Sequence, residues 1–181
     1  MPNVKLVAAT QDTDFLKIEK LMQFYMYDLS EWIPLSFDGE GNFFLRPKDA
    51  YWAHAGTHAF FIEVDGETAG FATVDTDVVD ADTNFSIGYF FLSRRFRGIG
   101  SGAIAAEMLF QRFPGMWQIF HVNINVVAHT FWEKMVPRLS QGDFSKRMQD
   151  IDGYDCTLYK FGQPNMQAQT SGSAQSQISP Q

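Results

Sequence analysis

The run Arg97-Gly98-Ile99-Gly100-Ser101-Gly102 stands between an apolar stretch, Phe85-Ser-Ile-Gly-Tyr-Phe-Phe-Leu92, and an amphipathic one, Ala103 to Phe113. A strand that ends in such a turn and restarts as a helix leaves backbone N–H groups bare at the helix N-terminus, where the helix dipole favours an anion. The junction predicts helices layered on a sheet and a phosphate-bearing ligand at residues 97–103. The plainer reading is a tight turn with no ligand and Arg97 as a solvated or salt-bridged surface cation. Three glycines in one turn at a helix start favour the ligand.

Three glycine-rich loops fit such a junction, and each demands different neighbours. A P-loop needs Lys and then Ser or Thr after its last glycine, to reach the outer phosphates and hold Mg²⁺, whereas Gly102 is followed by Ala103-Ile104. A dinucleotide fingerprint is matched formally by Gly98-x-Gly100-x-x-Ala103, yet the region around Gln118 offers no Asp or Glu for a ribose hydroxyl. The third loop, aromatic-Arg-Gly-x-Gly-x-Gly followed by a small residue and a helix, is met from Phe96 through Ala103, which resembles the pyrophosphate loop of the GCN5-related N-acetyltransferases, the GNAT family.

The flanks resemble the same family. Trp117 to Asn123 reads as a strand, and Asn125-Val-Val-Ala128-His-Thr-Phe131-Trp132-Glu133-Lys134 after it is similar to the stretch that lies beside the coenzyme's pantetheine arm. Upstream, His58 to Val64 and Glu67 to Asp75 read as a hairpin, because Asp65-Gly66 between two alternating runs is a strong turn signal. The resemblance spans Lys5 to Gly162 and implies an α/β (α+β) GNAT fold, a central, mostly antiparallel mixed sheet flanked by helices.

A chain of 181 residues with 45% apolar composition can bury one sizeable core, and no segment reaches the roughly 20 apolar residues of a membrane span. We expect a single domain over residues 1–162 and a disordered polar tail over 163–181, where charge is absent and Gln and Ser abound. A lone cysteine, Cys156, and an N-terminus without a signal-peptide pattern point to the cytoplasm. A net charge of −7 argues against a nucleic-acid surface, and the Arg94-Arg95-Phe96-Arg97 cluster is too small for one.

Remaining elements follow from periodicity. Lys5 to Thr10 reads as a first strand, and Phe15, Ile18, Met22, Tyr25 and Leu29 keep helical spacing behind a cap at Asp12 or Asp14. Ser30 to Thr57 is irregular and aromatic. Gly142 to Met148 and Tyr154 to Phe161 read as a final hairpin across Asp150 to Gly153.

The resemblance implies an enzyme that moves an acetyl group from acetyl-CoA to a primary amine by direct attack in a ternary complex. It places a bulge on the strand ending near Phe91-Leu92-Ser93, whose free backbone groups hold the pantetheine arm and polarise the thioester carbonyl. Arg97 and the N–H groups of Gly98, Ile99, Gly100, Ser101, Gly102 and Ala103 take the pyrophosphate, and Asn125, Phe131 and Trp132 lie beside the arm. Asn125 is also a natural helix N-cap, and Phe131 a natural core residue. Many family members carry Tyr where this chain has Trp132, and an indole N–H is no usable acid for the leaving thiolate. Either the thiolate leaves as such, or Tyr89 donates, or catalysis is lost and the chain is a non-catalytic acyl-CoA-binding or regulatory module.

For the base, Glu63, Asp75 and Asp77 are the local carboxylates, Glu63 being named for its apolar run although an exposed strand-face Glu is the plainer reading. His121, between Phe120 and Val122, reads first as a core histidine and second as a proton acceptor. Tyr27, Asp28 and Trp32 are the candidate acceptor residues, within an aromatic wall that includes Tyr25, Glu31, Phe37, Phe43, Phe44, Tyr51 and Trp52. A small-molecule or protein amine is the expected partner, with no membrane; dimers are common among similar proteins. No metal is expected: the run Asp75 to Asp82 lacks the central Gly and closing Glu of a calcium loop, and His54, His58, His121 and His129 lack zinc spacing.

Overall fold

The computed structural model describes residues 1–45, 51 and 56–162; Trp52 and the polar tail lie outside them. In chain order the elements are β1 (Val4–Ala8), α1 (Asp12–Leu29), β2 (His58–Val64), β3 (Glu67–Asp75), β4 (Phe85–Leu92), a 3-10 turn (Arg94–Phe96), α2 (Ser101–Arg112), β5 (Met116–Val122), α3 (Val126–Leu139), β6 (Phe144–Ile151) and β7 (Tyr154–Gly162).

The strands form one sheet in the order β1-β2-β3-β4-β5-β7-β6. Every neighbouring pair is antiparallel except β4 and β5. The expected mostly antiparallel mixed sheet is therefore observed. Its β2–β3 turn is the two-residue Asp65-Gly66, with φ of 52° and 85°, the left-handed pair that lets a hairpin follow the strand twist. Asp152-Gly153 repeats the device between β6 and β7, at φ of 55° and 82°, so the last hairpin turns on two residues.

Both faces of the sheet are covered. Phe60, Ile62 and Val64 of β2 join the core beneath α2 and α3, while Ala59 and Phe61 join a second core with Ile18 and Met22 of α1. That double burial explains why β2 reads as a nearly continuous apolar run. The N-cap of α1 is Gln11, and Asp14 reaches back to accept from the Thr10 and Gln11 backbone N–H groups at 3.1 Å each. Asp14 thus supports the cap from inside the first turn. Among the described residues, no helix is long and apolar enough to cross a membrane.

The parallel junction positions the site. β4 and β5 pair only at Phe85↔Trp117 and Ser86↔Gln118 and then part. The cause lies on β4's other side. Thr73 pairs with Tyr89 but Val74 with Ile87, so Gly88 is an extra, bulged residue, and a bulge bends its strand. The strand ending near Phe91-Leu92-Ser93 thus carries a bulge, as expected, and it lies at Gly88. Phe91 and Leu92 pair regularly with Phe71 and Gly70, and the Ser93 N–H donates to the Ala69 carbonyl at 2.8 Å.

The connection between β3 and β4 straps the two parts of the sheet together. Its Asp80 takes a bidentate bond from Arg147 of β6 at 2.8 and 2.9 Å, and its Asp82 binds Lys160 of β7. The Val79 N–H donates to Gln118 Oε1 at 2.8 Å, and the Met116 N–H to Asn84 Oδ1 at 2.8 Å. The acidic run Asp75 to Asp82 is thus partly paired with basic residues. Among the described residues, no cluster of His, Cys, Asp or Glu is arranged to hold a metal.

Candidate active site

Gly98 and Gly100 sit at φ of 76° and 90°, a region that side chains disfavour, and nothing stands within 4 Å of where their Cβ atoms would be. Gly100 is the N-cap of α2, and the first helical bond runs from the Ile104 N–H to its carbonyl at 3.2 Å. The N–H groups of Ser101, Gly102 and Ala103 therefore have no acceptor within the helix. Ser101 is fully buried and its hydroxyl donates to the Phe96 carbonyl, whereas Gly102 and Ala103 after it are only partly buried. A Cβ on Gly102 would lie 3.3 Å from Phe131 and 3.4 Å from Leu92, which fixes how closely α2, α3 and β4 converge. Ile99 is half exposed on the turn, and Ala103 packs on the core.

Arg97 has partners that its place in the sequence does not reveal. Its Nε donates to the Leu92 carbonyl at 2.6 Å, its guanidinium pairs with Asp28 at the end of α1, and it lies 5.6 Å from the Phe91 ring. Arg94 pairs with the same carboxylate at 3.1 Å. Asp28, a candidate acceptor residue, is thus held by two arginines of the phosphate turn. Tyr27 faces solvent and Trp32 is half-buried in the turn after α1.

On the α3 side, Phe131 stacks on Phe90 at 5.6 Å. Trp132 is 5% exposed and meets Phe90 and Phe131 edge-on at 5.7 and 4.7 Å. The indole is a core group here. Asn125 caps α3, its Oδ1 accepting from the Ala128 N–H at 3.0 Å.

Glu63 lies on β2, in register with Lys5 of β1 and Thr68 of β3. The whole of β3 separates it from β4, because the sheet order places β2 away from the opening. Tyr89 is at the opening, edge-on to Tyr25 at 5.4 Å and to Tyr51 at 5.5 Å, and its N–H donates to Thr73 Oγ1 at 2.8 Å. Burial, and secondarily the neighbouring Tyr89, push the Tyr25 phenol up to about 12. His121 is buried under α3 near His129 and Tyr159, and burial holds its pKa below the ordinary imidazole value. Tyr159 donates to Glu133 at 2.7 Å, and burial pushes its phenol up. This group packs on the helical side of the sheet, away from α1.

A polar group that the motifs did not reveal surrounds the Gly88 bulge. Tyr51 Oη donates to Asp75 Oδ2 at 2.6 Å and lies 2.9 Å from Thr73 Oγ1. Burial, then the Asp75 charge, drives the Tyr51 phenol above its usual range. The available signal was an isolated glycine inside a strand pattern, which marks a bulge or a close approach.

No protein-family model matches the sequence, and no curated protein matches it. Solved structures do. The chain is similar to an acetyltransferase from Thermus thermophilus, with a TM-score of 0.62 and 16% identity over 88% of this chain and 97% of that one. A second is RimL, the ribosomal L7/L12 alpha-N-protein acetyltransferase in complex with coenzyme A, at 0.55 and 15% over 88% and 93%. A third is a GNAT family acetyltransferase from Elizabethkingia anophelis with acetyl-CoA bound, at 0.53 and 14% over 88% and 98%.

Proposed function

The chain has the fold of the GCN5-related N-acetyltransferases, and from that premise we propose that it transfers an acetyl group from acetyl-CoA to a primary amine by direct attack in a ternary complex. The observation that carries the reading is the opening between β4 and β5 beside the bare N-terminus of α2. A pyrophosphate fits the partly exposed backbone of Gly102 and Ala103, since Gly98 and Gly100 place no side chain over it. Beyond Ser86 the β5-facing edge of β4 has no strand partner among the described residues. Its backbone groups would hold the pantetheine amides and polarise the thioester carbonyl as oxyanion character develops. Phe90 and Phe131 form an apolar wall that excludes water from that edge.

Coenzyme A supplies the thioester and a thiolate leaving group. Trp132 contributes packing rather than a proton, which leaves unassisted departure of the thiolate or donation by Tyr89. That same residue favours a second reading, a non-catalytic acyl-CoA-binding module.

Calorimetric titration with acetyl-CoA, on wild type and on Gly100→Glu, tests the loop. Micromolar binding that the variant abolishes supports the reading, and no binding to wild type overturns it. Thiol release with a panel of primary amines then separates enzyme from module.

A further inference from the structure

Of the three arginines between β4 and Gly98, one is spent locally and two converge. Arg95 makes a bidentate bond to Glu67 of β3 at 2.9 and 3.0 Å. Arg94 and Arg97 instead share Asp28 at the end of α1, one on each carboxylate oxygen. Bringing two guanidiniums together on one turn sets like charges side by side, and surface ion pairs return little stability for it. An anion of more than one charge is what such a pair of cations suits.

The geometry of Arg97 is the stronger sign. Its side chain folds back across the turn, so that Nε donates to the carbonyl of Leu92, the last residue of β4, at 2.6 Å, while Asp28 of α1 holds Nη2. Two of its three nitrogens are thus fixed from different elements, and Nη1 has no acceptor among the described residues. A planar guanidinium pinned along one side presents the other at a set angle. Exposure orders the three side chains in the same sense: 24% for Asp28, 35% for Arg97 and 73% for Arg94. The carboxylate is the most covered of the three, and the cations stand outside it on the turn that runs on into the N-terminus of α2.

We propose that Asp28 is a positioning residue for the coenzyme: it gathers Arg94 and Arg97 into a two-cation clamp and aims their remaining N–H groups at the diphosphate. The proposal rests on the acetyl-CoA reading above. Asp28 touches no atom of the ligand; it acts through the two guanidiniums. A carboxylate near an anion weakens binding by its charge alone, so a bystander Asp28 and a positioning one predict effects of opposite sign when that charge is removed. Here the cations stand between the two negative groups, and the orientation fixed before binding outweighs the repulsion.

The test is calorimetric titration of the full chain as wild type, Asp28→Asn, Arg97→Gln and the double variant. The ligands are acetyl-CoA and 3′-dephospho-acetyl-CoA, which keeps the diphosphate and lacks the ribose phosphate. Asp28→Asn is expected to weaken both ligands about tenfold, and to add no more than about twofold once Arg97 is replaced, because it acts through that guanidinium. Unchanged or tighter binding in Asp28→Asn overturns the proposal while leaving the coenzyme site standing. A loss confined to acetyl-CoA also overturns it, assigning the cations to the ribose phosphate instead. So does an undiminished loss in the double variant, which would mark Asp28 as an anchor of α1 and no more. Should Asp28→Asn not fold, Arg94→Gln decides: it is expected to weaken both ligands at least about threefold, and unchanged affinity overturns the clamp. Failure of wild type to bind acetyl-CoA overturns the coenzyme reading and this one with it.

Discussion

Trp132 packs inside, against Phe90 and Phe131. Trp132→Tyr is expected to leave kcat with any accepted amine unchanged or lower, and to cost about 1–3 kcal/mol in urea denaturation through lost packing and a buried hydroxyl. A rise in kcat would show that the side chain reaches the reacting atoms. Gly88→Ala pushes a methyl into Tyr51 Oη and Asp75 Oδ2, and an overpacked site of this kind costs about 1–3 kcal/mol. Its urea midpoint should drop, whereas Gly66→Ala, with nothing near its Cβ, suffers only the backbone strain of a positive φ. At this scale the glycine turn was legible because its chemistry is local. The pairing of Arg97 with Asp28 was not, since 69 residues separate the partners and nothing in either neighbourhood announces the other. Tyr51 was visible only as one ring in an aromatic segment; its bond to Asp75 needs the β3–β4 bulge to exist first.

The strap between β3 and β4 makes a pH prediction. Arg147 hydrogen bonds hold the Asp80 carboxyl below the usual range, and Lys160 does the same to Asp82. A carboxylate with a depressed folded pKa contributes stability that is present above its unfolded value, about 3.9, and lost as pH falls through the folded value. The Val79 amide, tied to Gln118, should therefore lose hydrogen-exchange protection between pH 6 and pH 2.5, after correction for intrinsic rates. Arg147→Gln should lower the pH 6 value and flatten the dependence; unchanged protection in both would show that the ion pairs hold nothing. Elements with a single periodicity, such as α1 and the β2–β3 hairpin, were legible to within a few residues. The resemblance implied a bulge on β4 without fixing its residue, and Gly88 marks the break by what it lacks.

For the molecule as a whole, a ligand that binds only the folded chain raises stability by about 2.7 kcal/mol at 100 times its Kd, or roughly 5–10 °C for a domain of this size. A melting curve with saturating acetyl-CoA should show that shift, and Gly100→Glu should show none. The layered α/β class followed from the order of runs, but the strand order did not: the insertion of β5 beside β4 and the return of β7 between β5 and β6 are long-range pairings that no local pattern encodes. Among the described residues, the ladder between β4 and β5 consists of two pairs, Phe85↔Trp117 and Ser86↔Gln118. Under mechanical load this is the seam that tears first, a short rivet between a four-strand panel and a three-strand one. Whatever wedges into the opening beyond it works as a lever on that rivet, and the ion-paired strap is the cable that limits how far the panels can part.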